Sequence, residues 1–263
     1  MFLWGAKSAA MRVRALARSS KIVRRADTKL AVLNHLSILT VLLVCGMPAQ
    51  AAIAQQAKKG PFWSEIRAFV REDKTVRPTP CQTMFVGSSS IRLWTSLKRD
   101  LPQRSVVRRG FGGAHLNHVV RYFDHLITPH QPREIVLYAG ENDIAWGRSP
   151  TEVATALEAF LERKTETLGV TPVYFISIKP TMYHWDKRAT QKQANALIRM
   201  LAERRSDLVY IDVASVMLDG GRPKDIFLGD KLHMNREGYR LWTKAVGDAL
   251  NQHDIPVAPH CEP

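Results

Sequence analysis

The sequence predicts a three-layer α/β fold whose centre is a five-stranded parallel sheet. From Gln82 onward, five short apolar runs alternate with longer stretches that have the apolar spacing of amphipathic helices. Most of the runs are rich in Val, Ile, Tyr and Phe and lack polar alternation, which is typical of strands covered on both faces. Strands that alternate with helices pair in parallel, and such sheets carry their sites at the carboxyl ends of the strands.

The individual elements follow from the same periodicities. We expect strands at residues 83–86, 105–107, 135–139, 173–178 and 208–213. We expect long helices at residues 116–126, 151–168, 190–205 and 236–250, after a short helix at 63–71. Ser149 and Pro150 mark the start of the second long helix, the serine as N-cap and the proline as the first helical residue. Trp94 and Trp242 fall within helical patterns and are expected in the core.

The net charge of +14 is concentrated at the amino terminus. Residues 1–54 contain eight basic residues and one acidic residue, so half of the excess belongs to this segment. The rest is spread in mixed sign instead of forming a stripe, and we therefore expect no nucleic-acid partner. The segment has the three parts of a secretory signal. A basic stretch comes first, an apolar run follows at 36–44, and small residues come last, Ala-Gln-Ala at 49–51 and Ala-Ile-Ala at 52–54.

This segment predicts an exported protein, periplasmic or secreted, with no stable membrane partner after cleavage. The basic region is long enough that Met11 could be the true start. An uncleaved membrane anchor is the alternative, but the apolar run is short for a spanning helix and Pro48 closes it. We divide the chain into the export signal (1–54), a polar lead-in (55–80), the main domain (81–255) and a C-terminal tail (256–263).

Cys81 and Cys261 are the two cysteines that remain after cleavage. In an oxidising compartment they could pair and tie the tail to the start of the first strand. Two unpaired thiols are an equal alternative. The sequence has no zinc-type spacing of cysteine and histidine, so we expect no metal site.

Two segments rich in small residues follow the first two predicted strands. Residues 85–90 read Phe-Val-Gly-Ser-Ser-Ser, which suits a tight strand-to-helix turn that exposes a side chain. Taken alone, this pattern is more often a plain helix cap, and a flavin or phosphate loop also fits it. Residues 109–114 contain three glycines in four positions, which indicates unusual backbone angles or a close approach, although a plain turn has the same composition.

Two further segments carry groups suited to acid–base chemistry. Residues 140–143 read Gly-Glu-Asn-Asp, where Asn142 is either a turn former or an amide donor to a developing oxyanion. Asp230 lies three residues ahead of His233 and can orient its imidazole, although a single pair of this kind also fits surface residues. Together the four segments fall on one edge of the sheet and supply a nucleophile, a base, an orienting carboxylate and oxyanion donors, the parts that acyl transfer needs.

In order and spacing, these segments resemble the four conserved blocks of the SGNH (GDSL-type) hydrolases over roughly residues 82–250. The resemblance implies that Ser89 is the nucleophile and that Asp230 and His233 complete a catalytic triad. It implies that the backbone N–H groups of Ser89 and Gly113 and the side chain of Asn142 form the oxyanion hole. It also implies a flavodoxin-like fold and an esterase or acylhydrolase that uses neither a cofactor nor a metal.

One position departs from the family pattern, because Ser88 replaces the Asp of G-D-S. That Asp is not a triad member, so the register still assigns the nucleophile to Ser89 and not to Ser88 or Ser90. The departure leaves open an inactive binding module for a carbohydrate or a lipid, and the serine-rich loop leaves open a flavin- or nucleotide-binding protein. Neither alternative accounts for the Asp-x-x-His pair, so we expect an enzyme that hydrolyses a carboxylic ester.

The substrate is expected to be a small-molecule, carbohydrate or lipid ester. The sequence contains no long apolar lid segment, which favours small acyl groups. His115 and His118 open the helix after the glycine loop and are expected to face water. His184, Trp185 and Trp146 follow predicted strands, where they either line the cleft or pack at its rim.

Overall fold

A central sheet of five parallel strands confirms the predicted fold class. The computed structural model describes residues 60–252 and 258–261, and the expected signal at 1–54 lies outside them. The strands are β1 (Thr83–Gly87), β2 (Val106–Gly110), β3 (Glu134–Tyr138), β4 (Val173–Ile176) and β5 (Leu208–Ile211). They lie in the order β2-β1-β3-β4-β5, with every neighbouring pair parallel. The chain therefore reverses its direction of travel across the sheet between β1 and β3, which is where such folds bind ligands.

The helices cover both faces of this sheet. They are α1 (Trp63–Thr75), α2 (Ser89–Arg92), α3 (Leu97–Asp100), α4 (Leu116–Arg121), α5 (Phe123–Leu126), α6 (Glu141–Ala145), α7 (Pro150–Leu168), α8 (Arg188–Ala202), α9 (Val213–Val216) and α10 (Arg236–Gln252). Short 3₁₀ turns lie at Thr128–His130, Trp185–Lys187 and Pro259–Cys261, and a small antiparallel hairpin joins β6 (Leu218–Asp219) to β7 (Arg222–Pro223). As predicted, Ser149 caps α7, where its hydroxyl accepts the N–H of Glu152 at 3.2 Å.

Successive residues of each strand belong to opposite layers, because side chains alternate across a sheet. Met84 and Val86 of β1 pack with α1, α4, α5, α7 and α8 in one core. Phe85, between them, packs in the other core with α3, α9 and α10. Trp94 and Trp242 are fully buried in this second core, as expected from the sequence. The two cores make the three layers of the fold.

Two predicted elements are wrong in detail. The second strand was expected at 105–107 but runs to Gly110, because Arg109 is buried and ion-paired with Asp73 of α1 instead of lying in a loop. The helix expected at 116–126 is two helices, because Tyr122 leaves helical geometry with φ −104° and ψ 15°. The other predicted elements differ from the structure only near their ends.

Cys81 and Cys261 form a disulfide, with their Cα atoms 5.4 Å apart. Of the two alternatives that the sequence left open, the paired one is therefore correct. The bond ties the C-terminal tail to the residue that lies two positions before β1. Among the helices of the described ranges, none combines the length and the apolar character that crossing a bilayer requires.

Candidate active site

The turn after β1 holds Ser89 at the carboxyl edge of the sheet. Gly87 ends the strand with φ +142°, and a Cβ built there would lie 1.9 Å from the carbonyl oxygen of Tyr138, so the position needs glycine. Ser88 donates its backbone N–H to that same oxygen at 2.9 Å, and Ser89 then begins α2. Ser88 and Ser90 are buried, whereas Ser89 is half-buried. Ser89 is therefore the most accessible of the three serines.

The turn before α10 brings Asp230 and His233 onto Ser89. His233 Nε2 lies 3.0 Å from Ser89 Oγ, and His233 Nδ1 lies 2.7 Å from Asp230 Oδ2. The other carboxylate oxygen accepts the backbone N–H groups of Leu232 at 3.0 Å and of His233 at 2.9 Å. Lys231 closes this turn with a left-handed φ of 58°. With Nδ1–H donated to the carboxylate, Nε2 is free to accept the hydroxyl proton of Ser89.

The Asp230 carboxyl is held in its charged form. Burial alone would raise its pKa, but the hydrogen bonds from the His233 side chain and from the N–H groups of Leu232 and His233 outweigh burial and lower the pKa to about 2. The carboxylate is therefore ionised at physiological pH and can stabilise a positively charged imidazolium. Because this pKa is lower in the folded state, the stability it contributes is present above the unfolded value and is lost as the pH falls through about 2.

The glycine loop after β2 and the turn after β3 form the opposite side of the site. Gly113 adopts a left-handed φ of +72°, which residues with a side chain rarely adopt. The Asn142 amide donates one of its N–H groups to the carbonyl oxygen of Ala114 at 2.9 Å, which fixes the side chain beside this loop. The backbone N–H of Leu116 donates to Asp143 at 3.2 Å and joins the same two segments again. Asn142 is therefore held rigidly, with its second N–H left for another acceptor.

One open cavity of about 400 Å³ is lined by residues from all of these turns. Ser89, Gly113, Asn142 and His233 line it, and Asp230 lies directly behind His233. The structure thus brings together the five residues that the sequence singled out.

Two charged residues that the sequence analysis missed line the same cavity, Glu65 and Arg92. Glu65 of α1 accepts the backbone N–H of Gly112 at 3.3 Å, and Arg92 Nη1 lies 3.5 Å from the same carboxylate oxygen. The spacing of three residues between Ser89 and Arg92 in a one-turn helix is a signal that could have identified Arg92. Glu65 lies in the polar lead-in, where no motif connects it with the glycine loop.

The histidines after the glycine loop are half-buried and do not simply face water as expected. His118 Nδ1 accepts the backbone N–H of His115 at 3.1 Å, and its ring packs against Phe62 with 4.9 Å between centroids. Burial, followed by the charges of His115 and Arg121, lowers the pKa of His118 to about 4. His118 is therefore neutral at physiological pH and caps the start of α4.

The aromatic residues that were candidates for the cleft lie outside the cavity around Ser89. Trp146 is 80% exposed and contacts His115 at 5.9 Å between ring centroids. Trp185 begins a 3₁₀ turn beside the Arg222 guanidinium, and the backbone N–H of His184 donates to Thr181 Oγ1 at 3.1 Å. None of these residues lines the cavity around Ser89.

A buried charged pair lies beneath the turn that carries Asn142. Lys179, just after β4, donates to Glu141 Oε2, and Tyr138 O–H donates to the same oxygen at 2.9 Å. The side chains of Lys179 and Glu141 are only 0% and 6% exposed. Burial, reinforced by the charge of Glu141, raises the pKa of Tyr138, so the phenol stays protonated and remains a donor. This network ties the end of β4 to the residue before Asn142.

Solved structures share this fold at low sequence identity. A protein from Streptococcus pneumonia, provisionally named a platelet activating factor, has a TM-score of 0.65 at 20% identity and covers 78% of this chain and 99% of its own. A GDSL-like lipase from Bacteroides thetaiotaomicron has a TM-score of 0.61 at 16% identity, covering 71% and 97%. A carbohydrate esterase family 3 protein from Talaromyces cellulolyticus has a TM-score of 0.55 at 17% identity, covering 65% and 97%. At these identities the likeness shows the fold alone.

Sequence comparison identifies the family. No curated protein sequence matches the chain. Residues 83–241 match the family of GDSL-like lipases and acylhydrolases, and this range contains all five residues that the sequence singled out. Because it spans more than half of the chain, from β1 into α10, the protein belongs to the GDSL-like lipase/acylhydrolase family of hydrolases.

Proposed function

We propose that this protein is a serine esterase that hydrolyses carboxylic esters with a triad of Ser89, His233 and Asp230. Family membership supports ester hydrolysis in general. The finer assignment is supported by one observation, the continuous chain of hydrogen bonds from Asp230 through His233 to an accessible Ser89. That arrangement gives an imidazole nitrogen positioned to take the Ser89 proton and a carboxylate positioned to stabilise the imidazolium that results.

The acylation step begins when Ser89 Oγ attacks the carbonyl carbon of the ester. Its proton passes to His233 Nε2 as the bond forms, and Asp230 stabilises the imidazolium that results. His233 then gives this proton to the oxygen of the departing alcohol, which leaves an acyl group on Ser89. A water molecule, activated by His233 as a general base, releases the acid and restores the serine.

The tetrahedral intermediate carries a negative charge on the former carbonyl oxygen. The backbone N–H groups of Ser89 and Gly113 and the second N–H of the Asn142 amide are the donors that we assign to it. These donors are fixed before the reaction, Gly113 by its left-handed backbone and Asn142 by its bond to Ala114. Fixed dipoles of this kind stabilise the developing charge without the cost of reorienting solvent.

The small, open cavity around Ser89 favours esters with short acyl groups. We also propose that the protein works outside the cytoplasm, because the Cys81–Cys261 disulfide requires an oxidising compartment and the first 54 residues have the composition of an export signal. Fractionation and N-terminal sequencing test this location. A periplasmic or secreted product that begins after Ala51 or Ala54 is expected, and a cytoplasmic product that keeps residues 1–54 would contradict it.

Replacing the nucleophile tests the proposed activity. Ser89→Ala should lower hydrolysis of p-nitrophenyl acetate by a factor on the order of 10³ or more, as for other triad members. Ser88→Ala and Ser90→Ala are the matched controls and should keep far more activity. A fluorophosphonate probe followed by peptide mapping should label Ser89. Wild-type rates in Ser89→Ala, or labelling of another serine, would show that the assignment is wrong.

A further inference from the structure

One wall of the catalytic cavity comes from a part of the chain that precedes the family-matched range. Helix α1 ends at Thr75, before the match begins at residue 83, and it places Glu65 in the cavity. Arg92, at the end of α2, lies beside Glu65 on the same wall. This pair has no role in the proton transfers described above.

Helix α1 is firmly attached to the domain, so Glu65 has a defined position. Ile66 is fully buried in the first core. Phe62, just before the helix, packs against Phe111 of the glycine loop with 5.5 Å between ring centroids. Asp73 forms a buried ion pair with Arg109 of β2. Apolar and ionic contacts along α1 therefore hold it against the sheet.

Arg92 can take its position because Gly112 has no side chain. A Cβ built on Gly112 would lie 2.9 Å from Arg92 Cζ, so the guanidinium occupies the space that any other residue would fill. The same glycine donates its N–H to Glu65 Oε1 at 3.3 Å. Gly112 thus positions both members of the pair beside the oxyanion loop.

The ion pair between Glu65 and Arg92 is loose. It has one contact, from Nη1 to Oε1 at 3.5 Å, whereas charge-assisted hydrogen bonds are about 2.7–2.9 Å long. The side chains of Arg92 and Glu65 are 50% and 35% exposed. Within the described ranges, Arg92 Nε and Nη2 and Glu65 Oε2 have no protein hydrogen-bond partner. The wall therefore offers unused donors next to an unused acceptor.

Donors on Arg92 beside an acceptor on Glu65 favour some classes of ligand over others. An anionic group would gain from Arg92 but would meet the negative charge of Glu65 within the same few ångströms. An alkyl chain would remove both charges from water without replacing their hydrogen bonds. Two neighbouring hydroxyl groups, each a donor and an acceptor, can satisfy both side chains at once.

We propose that Glu65 and Arg92 bind neighbouring hydroxyl groups of a sugar, so that the alcohol part of the ester is a carbohydrate. The proposal rests on the esterase function proposed above. The cavity of about 400 Å³ has room for one sugar ring beside the scissile ester. Bound in this way, the ring presents an acyl group on a nearby oxygen to Ser89 and the oxyanion donors.

The test compares two kinds of unactivated acetate, one with a sugar as the alcohol and one with a simple alcohol. The substrates are the monoacetates of methyl α-D-glucopyranoside, each isomer assayed separately, and ethyl acetate, with acetate release measured for both. For the wild-type protein, kcat/KM for at least one sugar acetate should exceed that for ethyl acetate by about tenfold or more. Arg92→Met and Glu65→Gln should each reduce this ratio by about tenfold or more, the effect of losing a hydrogen bond to a charged group.

The variants are chosen to leave the rest of the wall in place. Methionine keeps much of the bulk of Arg92 without its donors, and the glutamine carbonyl can still accept the N–H of Gly112. Arg67→Met is the matched control, because Arg67 is an exposed residue of the same helix, and its ratio should not change. Circular dichroism verifies that each variant is folded.

The outcomes separate this proposal from the esterase function. If both variants lose activity on the two acetates equally, the pair positions the glycine loop and the sugar site is refuted. If the wild-type ratio is near one for every isomer, the sugar site is refuted while the esterase function stands. If no acetate is hydrolysed and a fluorophosphonate does not label Ser89, the esterase function itself is refuted, and the sugar site with it.

Discussion

Replacing Lys179 with methionine tests what the buried charged pair contributes to stability. The Lys179 side chain is completely buried and donates to Glu141, which is almost completely buried as well. Lys179→Met would leave the Glu141 carboxylate without its counter-charge in a site that excludes water. Breaking a buried pair in this way costs about 3–5 kcal/mol of the free energy of unfolding. For a domain of this size, that loss lowers Tm by roughly 6–20 °C.

A double variant distinguishes loss of the pair from loss of packing. In Lys179→Met/Glu141→Gln no charge remains, and the amide oxygen of glutamine can still accept the O–H of Tyr138. Replacing both members of a buried pair by neutral groups is often close to neutral. We therefore expect the double variant to recover most of the stability that the single variant loses.

Urea unfolding followed by circular dichroism measures these free energies. Lys244→Met is the control, because Lys244 pairs with Asp248 at 2.7 Å with 76% of its side chain exposed. An exposed pair of this kind contributes about 0.5 kcal/mol or less. The reasoning is refuted if Lys179→Met costs no more than Lys244→Met, or if the double variant is as unstable as the single one.

The remaining predictions concern the oxyanion donor, the triad and the disulfide. Asn142→Ala should lower kcat by roughly 10²-fold or more with a smaller change in KM, because its amide acts mainly on the transition state. Adding Asp230→Asn to His233→Ala should cost little beyond His233→Ala alone, because both act in one proton transfer. Replacing Cys81 and Cys261 by serine should lower the free energy of unfolding by about 5 kcal/mol, because the bond joins residues 180 apart in sequence.

Each of these outcomes has a result that would contradict it. A purely KM effect in Asn142→Ala would place the amide in substrate binding. Losses that multiply in the Asp230 and His233 double variant would mean that the two residues act separately. Equal urea midpoints with and without the disulfide would show that the bond contributes nothing to stability.

The sequence placed both ends of β1 and of β3, two central strands of the sheet, to within one residue. Every residue of β1, β3 and β4 is buried, so an uninterrupted apolar run marks each of them. The edge strand β2 was misplaced because it continues through Arg108 and Arg109. Arg109 is buried only because Asp73, 36 residues earlier, supplies its counter-charge. A tertiary partner of this kind leaves no trace in the local pattern.

In the candidate site too, contacts within one turn can be read from the sequence, whereas contacts between distant segments cannot. Asp230 and His233 are three residues apart and share one turn, so their relation is visible in the sequence. Ser89 lies 144 residues from His233, and only the arrangement of four segments on one sheet edge connects them. Glu65 and Gly112 are 47 residues apart and belong to no motif. Their contact depends on how α1 packs, which periodicity alone does not determine.

The disulfide has a consequence for how this protein can be altered. Together with the peptide chain from Cys81 to Cys261, it closes a covalent ring that contains the proposed triad and all of the assigned oxyanion donors. Helix α1 lies outside this ring, and its covalent connection to the ring runs through residues 76–80. Yet α1 supplies Glu65 to the cavity around Ser89. The positions of α1 around Glu65 can therefore be varied to reshape one side of the cleft, provided that Ile66 and Asp73 keep their contacts, while the ring retains the proposed triad and its own connectivity.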